Sequence, residues 1–319
     1  MIDGSARHGT VLNLSHWPRS TTAPELRRDL SAQIVLQALE TGDLSNAGAD
    51  VVTIDHYDED GVVALGFAAV EGLAEDHARV LVEVARAGDF GVVRDKHAAL
   101  IAFALSTLGD PRRSPLESVK TASGKKGGHL EACAHGARQA IGMLADLARD
   151  PCEFEGLWRD EAAAFDASVA GLRTWATIED LPDQDLAIVM VNPSAAEAAH
   201  AGWAGWPIHP AAVNSATSRL RIATVAGDRM DLRFRYESWV RMTSYRPRPR
   251  VDLSGLAGKL EEMESAGAKW HFDGANATRP VLRVTEDGRS SLAQQMFVEM
   301  LVEELDALDA RPPAFDPYR

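Results

Sequence analysis

A chain of 319 residues, 45% apolar and 25% charged, has the make-up of a folded globular protein and is long enough to bury two ordinary cores. Its formal charge of −14 opposes adhesion to nucleic acid or acidic membrane, so no stable duplex binding is expected, and a phosphate-bearing ligand has to be met by a local cationic patch or a metal. No apolar run reaches the roughly 18 residues of a membrane helix, the start lacks a secretory signal, and Cys133 and Cys152 form neither a CxxC pair nor a disulfide framework; a cytoplasmic protein with reduced thiols and no membrane partner is expected.

In chain order, residues 1–9 read as a loose leader. Val11 to His16 reads as a short strand closed by Trp17-Pro18, because proline removes a ladder donor and restricts the residue before it. From Thr22 to Glu40 apolar residues fall at helical spacing, with Pro24 suited to the first turn. Residues 50–57 read as a second strand, and Val62 to Gly72 as a helix capped by Asp60. This alternation predicts a parallel α/β sheet at whose carboxyl ends His16 and His56 would meet. Helices are expected over Glu75 to Ala87, Lys96 to Leu108, His129 to Arg149 and Phe154 to Ala176, with a loop over 109–128. The Gly, Pro and charged residues around Glu179 to Asp185 mark the expected boundary between an α/β domain (1–180) and a smaller α+β domain (181–319).

The second part opens with a strand over Leu186 to Val191. After a Trp-rich loop, Leu220, Ile222 and Thr224, then Leu232, Phe234 and Tyr236, alternate as an antiparallel pair turned at Gly227-Asp228. Nine arginines fall between residues 201 and 250 against three carboxylates, Asp228, Asp231 and Glu237. Of these, Arg219, Arg221, Arg233 and Arg235 alternate and would form a one-sided guanidinium row able to grip phosphate. A helix over Leu253 to Ser265, a strand near Val281 to Thr285, a helix over Ser291 to Leu308 and a loose tail over 311–319 complete the reading.

The chemistry concentrates in Val51 to Leu65, where a β-branched run breaks into His56, four carboxylates and Gly61. In an extended segment His56, Asp58 and Asp60 share one face, and an imidazole with two carboxylates suits a hard or borderline divalent ion. The bland alternative is an Asp-Gly turn, or acids that only cap a helix. Asp89, in Gly88-Asp89-Phe90-Gly91, is either a further ligand or a turn residue. His129 and His135 are the downstream imidazoles available as acid or base. Lys125 and Lys126, within Gly124 to Gly128 ahead of a helix, could help cradle phosphate, although the stretch lacks the P-loop pattern.

At Ile54-Asp55-His56-Tyr57-Asp58-Glu59-Asp60-Gly61-Val62-Val63-Ala64 the sequence resembles the first motif of the DHH phosphoesterases, which include the RecJ-type exonucleases and the oligoribonuclease and pyrophosphatase branches. The resemblance is specific to this stretch, and the tripeptide that names the family is absent from its usual downstream place. It implies Mn2+ or Mg2+ held by Asp58 and Asp60 with His56 as a third ligand, a metal-bearing parallel-sheet domain, and a smaller domain gripping substrate phosphate. The expected activity is hydrolysis of a phosphoester or phosphoanhydride in a small phosphorylated compound or short oligonucleotide. His16 and Asp89 would join the metal set, and a homo-oligomer is left open. A rival reading takes His56-Tyr57-Asp58 with His209 and Arg219 as a 2-His-1-carboxylate Fe2+ oxygenase site. A third is a binding protein without catalysis.

Overall fold

The computed structural model describes residues 1–124, 128–265, 267–285 and 288–319. The chain is mixed α and β and forms two compact units, Met1–Ala162 with Arg241–Tyr245, and Ala163–Val240 with Arg246–Arg319.

The first unit is helical: α1 (Ser31–Glu40), α2 (Asp43–Asn46), α3 (Glu59–Ala69), α4 (Leu73–Asp89), α5 (Lys96–Gly109), α6 (Glu117–Ser123) and α7 (His129–Arg149) precede the start of α8 (Glu155–Gly171). Helix α3 packs against α1, α4, α5 and α7. Its run of Val62, Val63, Ala64 and Phe67 is buried, as a helix apolar on every side must be. The helix expected over 22–40 starts late: Pro24–Leu26 is a single 3-10 turn, Arg27 and Leu30 are extended, and α1 begins at Ser31. The stretch 109–128, expected to be a loop throughout, contains α6, which buries Val119 and Ala122 against Ala132 of α7.

The expected parallel sheet of this part is reduced to three extended segments. Ile2 bridges Leu14 in parallel, and the Ile2 N–H donates to Thr53 O at 2.9 Å, but no ladder continues. Val51 is 74% exposed, so the β-branched run has no buried face to hold a sheet on it. Residues 1–9, in turn, are not loose at their start, since Ile2 and Asp3 are buried and bonded to the 12–15 segment.

The second unit is a six-stranded sheet of order β1-β2-β3-β4-β6-β5, with β1 (Ala176–Leu181), β2 (Leu186–Val191), β3 (Arg221–Ala226), β4 (Arg229–Phe234), β5 (Trp270–Phe272) and β6 (Val281–Val284). Only β2 and β3 pair in parallel, joined through α9 (Pro193–Ala198) and α10 (Pro210–Ala216). Glu179 to Asp185, read as the domain boundary, is the end of β1 and a tight turn into β2, with Leu181 opposite Leu186, and the second unit already begins at Ala163. Proline and acidic residues serve a hairpin turn and a domain boundary equally well, which is why composition did not separate the two. The β3–β4 hairpin turns at Gly227-Asp228 as its alternation predicts.

Each sheet face buries what its period-two pattern assigns to it. Leu232, Phe234, Leu282 and Trp270 meet α11 (Ser254–Met263) and α12 (Gln294–Asp309) through Leu256, Leu260, Phe297, Leu301 and Leu305. Val189, Ile222 and Ala226 meet Ala196, Ile208 and Val213 on the other face. The end of the chain is not a loose tail: Phe315 bridges Arg250, and Asp316 pairs with Arg246 at 3.2 Å.

Arg250 is the polar anchor of this unit. Its fully buried guanidinium donates from Nε to Ser238 Oγ (2.8 Å), from Nη1 to Ala275 O and Ala277 O, and from Nη2 to Arg235 O and Thr278 O. A buried charge is tolerable only when so fully bonded. Replacing Arg250 by alanine strands these acceptors and should cost on the order of 3–5 kcal/mol. The expected result is a clear fall in the melting temperature followed by far-UV circular dichroism, and an unchanged melting curve would refute the anchoring role.

Candidate metal centre

The site of the first unit is assembled from segments far apart in the chain. Asp58 is the N-cap of α3 and accepts the Gly61 N–H at 2.8 Å. The sequence reading gave that cap to Asp60, which instead reaches across to α1 and accepts the N–H groups of Ser31 (2.7 Å) and Ala32 (2.8 Å). Both carboxylates thus meet the positive ends of helices. Gly61 leaves them room, because a Cβ there would lie 3.0 Å from Asp58 Oδ1 and 3.2 Å from Asp3 Oδ2, tighter than an ordinary contact.

Tyr57 fixes the turn that carries them. Its hydroxyl donates to Leu105 O at 2.7 Å, and its ring lies where side chains at Gly109 and Gly136 would be, with a Gly109 Cβ only 2.1 Å from the ring. Glycine at the end of α5 and within α7 therefore makes the slot that seats the tyrosine.

His16 is held from two sides. Its Nδ1 lies 2.6 Å from the Asp29 carbonyl oxygen, an acceptor only, so Nδ1 carries the proton and the neutral ring turns its Nε2 lone pair to the acids. The Arg241 N–H donates to His16 O at 2.9 Å, and the Asp29 carboxylate accepts from Thr243 N–H, Thr243 Oγ1 and Ser244 N–H. Burial raises the Asp29 carboxyl, but those bonds from Ser244 and Thr243 outweigh it and hold the group below the ordinary range. A carbonyl bonded to the far nitrogen is the arrangement that orients a metal-binding imidazole.

Around these anchors the acids converge. His16 Nε2 lies 3.5 Å from Asp3 Oδ1, 3.9 Å from Asp60 Oδ2 and 3.5 Å from Asp89 Oδ2. His56 Nε2 lies 2.7 Å from Asp58 Oδ2 and 3.4 Å from Asp3 Oδ2, and its Nδ1 is 2.9 Å from Asp55 Oδ1. Asp3, His16, Asp60 and Asp89 are buried, whereas the His56 side chain is 29% exposed and Asp58 20%. The cluster is therefore closed at its base and opens at His56, beside the Trp17 ring.

The protonation states follow from this packing. Burial pulls His16 down to about 4 against the pull of Asp29 and Asp58, so it is neutral at pH 7. Burial also lowers His56, but the bond to Asp58, its charge, Asp3 and Asp55 outweigh that and push the ring up to about 10. Desolvation, then the charge of Asp58, raises Asp60 to about 7, and the same causes with Asp60 added raise Asp3 well above the carboxylate range. Without a cation Asp3 and Asp60 are the acids that tend to hold protons, and His56 supplies the positive charge.

The donor set fits a divalent ion. Two groups, Asp3 with His56 and Asp58, and Asp3 with His16 and Asp60, each bring their ligand atoms within 4.8 Å of one another. Asp3 belongs to both. Oxygen donors with an imidazole in each group suit Mn2+, with Mg2+ and Fe2+ of similar hardness.

The structure thus brings together all five residues named from sequence as metal ligands, His16, His56, Asp58, Asp60 and Asp89, and adds Asp3, Asp55 and Asp29. Asp3 was passed over because it sits in the segment read as a leader. The available signal was Ile2-Asp3-Gly4, the same apolar–acid step as Ile54-Asp55. Asp3 also adopts φ 42°, a left-handed conformation uncommon outside glycine, asparagine and aspartate and found most often at sites under functional constraint.

The contacts of the other named residues are different. His129 is exposed at the start of α7, 3.7 Å from Cys133 Sγ, and His135 pairs with Glu131 one turn back at 3.7 Å. Lys125 and Lys126 lie outside the described residues. The arginine row is not one-sided. Arg221 stands opposite Phe234 and Arg233 opposite Ile222, so they project from opposite faces. Arg221 is bidentate to Asp309, Arg235 is bonded to Glu237, Arg233 to Asn214 and Arg219 lies 3.5 Å from Asp180, so these guanidiniums hold the second unit together. His209 caps α10 by accepting the Ala211 N–H on Nδ1 and lies against the rings of Trp203 and Phe165.

The pH dependence of the metal-free protein follows. Asp60 is raised, so its contribution is full below its unfolded value near 4 and is lost as pH rises through about 7; His56, raised to about 10, loses its contribution from about 6.5 upward. His16, lowered to about 4, acts oppositely, but only below about 6.5. Chelator-treated protein should therefore lose thermal stability as pH rises from about 6.5 to 9, and Mn2+ should restore more of it at pH 9 than at pH 6. A melting temperature flat across that window, with or without Mn2+, would remove the electrostatic account of the cluster.

No curated protein matches this sequence. Residues 1–306 match the model of DUF6687, described as a family of unknown function, and the chain belongs to that family.

Proposed function

We propose that the first unit is a metal-dependent hydrolase of a phosphoester or phosphoanhydride, acting on a small phosphorylated compound or a short oligonucleotide. One observation carries the reading: Asp3 sets Oδ1 3.5 Å from His16 and Oδ2 3.4 Å from His56, so a single carboxylate joins two acid–imidazole groups. The likeness of Ile54 to Ala64 to the first DHH motif points the same way, with Asp58 and Asp60 at its metal-binding positions.

In this reading His16, Asp60 and Asp89 would hold one ion at the buried base, and His56 and Asp58 a second at the mouth, with Asp3 shared. Bound Mn2+ or Mg2+ supplies a water of lowered pKa and offsets charge on the phosphoryl oxygens. The chain's own residues do the rest. Asp29 fixes the His16 tautomer through its carbonyl, and Asp55, bonded to His56 Nδ1, fixes the orientation of that ring at the entrance. The buried walls exclude bulk water from the base of the site, where electrostatic effects are strongest. Among the described residues no helix is long and apolar enough to cross a membrane, and both cysteines are free, which supports the reading of a cytoplasmic enzyme.

Asp3→Asn tests the shared ligand. Asparagine tolerates the left-handed backbone and removes one of the crowded charges, so the metal-free variant should melt at or above the parent. Mn2+ uptake, measured by metal analysis after dialysis, should fall at least about a hundredfold, along with release of product from a generic phosphodiester. Retention of parental metal uptake would leave only the helix-capping role for the acids.

A further inference from the structure

The sheet of the second unit carries a cavity of about 410 Å³, within the range of small-molecule sites. Thr224, Asp231 and Arg283 stand directly opposite one another on β3, β4 and β6. Their neighbours Ala223, Leu232 and Leu282 pack in the core under α11 and α12, so this polar row lies on the reverse face. There α9 and α10 cover β2 and β3, and the cavity lies at β4 and β6 against Trp206 and Pro207.

Trp206 is presented by a tight turn. Trp203 and Trp206 exchange backbone hydrogen bonds at 3.0 and 2.9 Å, and the two residues between them, Ala204 (φ 49°) and Gly205 (φ 87°), are both left-handed. An alanine held there shows that the turn is imposed by its surroundings. The Arg233 guanidinium, bonded to Asn214, sits 5.1 Å from the Trp206 ring centroid and steadies it.

Asp231 lines the wall. Thr224 hydrogen-bonds its carboxylate, yet Oδ1 is buried and has no donor among the described residues. Burial, against Arg233, Thr224 and Arg283, pushes the group up to about 7. A ligand N–H meeting the carboxylate after a small rotation about χ2 would supply the missing donor, and such a donor is worth more to a buried acceptor than to an exposed one. At the rim Arg229 and Arg283 are exposed, and Arg283 also pairs with Asp273 at 2.7 Å. The two guanidiniums at the rim suit an anionic group on the ligand.

We propose that this cavity binds a nucleoside phosphate with a guanine-type base, the N–H edge on Asp231, the ring against Trp206 and the phosphate at Arg229 and Arg283. Adjacent ring N–H and amino donors match a carboxylate. Adenine places an acceptor beside its donor, and uracil flanks its N–H with two carbonyls that repel the acid. The site is built wholly from residues of the second unit and needs no metal.

Calorimetric titration of the whole chain in chelator tests it, with GMP, IMP, UMP and guanosine as probes. GMP should bind about tenfold tighter than IMP, which lacks the amino donor, and tighter still than UMP and guanosine. Asp231→Ala should erase the preference for GMP over IMP. Arg283→Gln, a surface change that leaves the core intact, should bring GMP towards guanosine. No heat with GMP up to millimolar concentration, equal affinities for GMP, IMP and UMP, or parental GMP binding by both variants would overturn the proposal.

Discussion

The first unit depends on one carboxylate more than on any other group. Asp60 leaves the first turn of α3 and accepts the opening N–H groups of α1, so one side chain joins the starts of two helices that pack on each other. An isolated buried carboxylate is costly, and two backbone donors with a helix dipole offset much of that cost. Because α1 is pinned there, Ser31 is placed to donate from its hydroxyl to Asp3 Oδ1 at 2.7 Å. The N-terminal segment is thereby drawn into the cluster, and local capping becomes the geometry of the whole site.

How much of this was legible in the sequence depends on whether the signal was local. The His56-Asp58-Asp60 spacing and the glycine after it are a short-range pattern, and it is the part that identified the cluster. His16 and Asp89 were legible as residues at the ends of elements, where chains turn back and sites form. Asp3 was not, because what buries it is the pairing of Ile2 with Leu14 and Thr53, a contact between segments that no periodicity announces. The segment Arg241–Tyr245, which belongs with the first unit and holds His16 and Asp29, was equally hidden by its distance along the chain.

The arginine row failed for the opposite reason. Alternation along a strand does place Arg233 and Arg235 on one face, but the partner strand adds Arg221 to the other, since Arg221 stands opposite Phe234. Register decides which residues share a face, and register is set by pairing rather than by either strand alone. The same rule put Thr224, Asp231 and Arg283 in one line across three strands, a row that could not be read without knowing that β6 lies beside β4.

Whether helix capping alone could account for the acids turns on Asp89. Asp58 and Asp60 sit at helix N-termini, where negative charge is favoured, and structural need would explain both. Asp89 is the last residue of α4, at the end where the dipole disfavours a carboxylate. It is nonetheless buried, 3.5 Å from His16 Nε2, beside an imidazole that burial keeps neutral. Burial and the helix end both disfavour charge at such a position, and N-terminal capping does not explain why an acid stands there. A cation between the His16 lone pair and these carboxylates would oppose both effects, and this is why the base of the cluster, more than the motif at its mouth, argues for a metal.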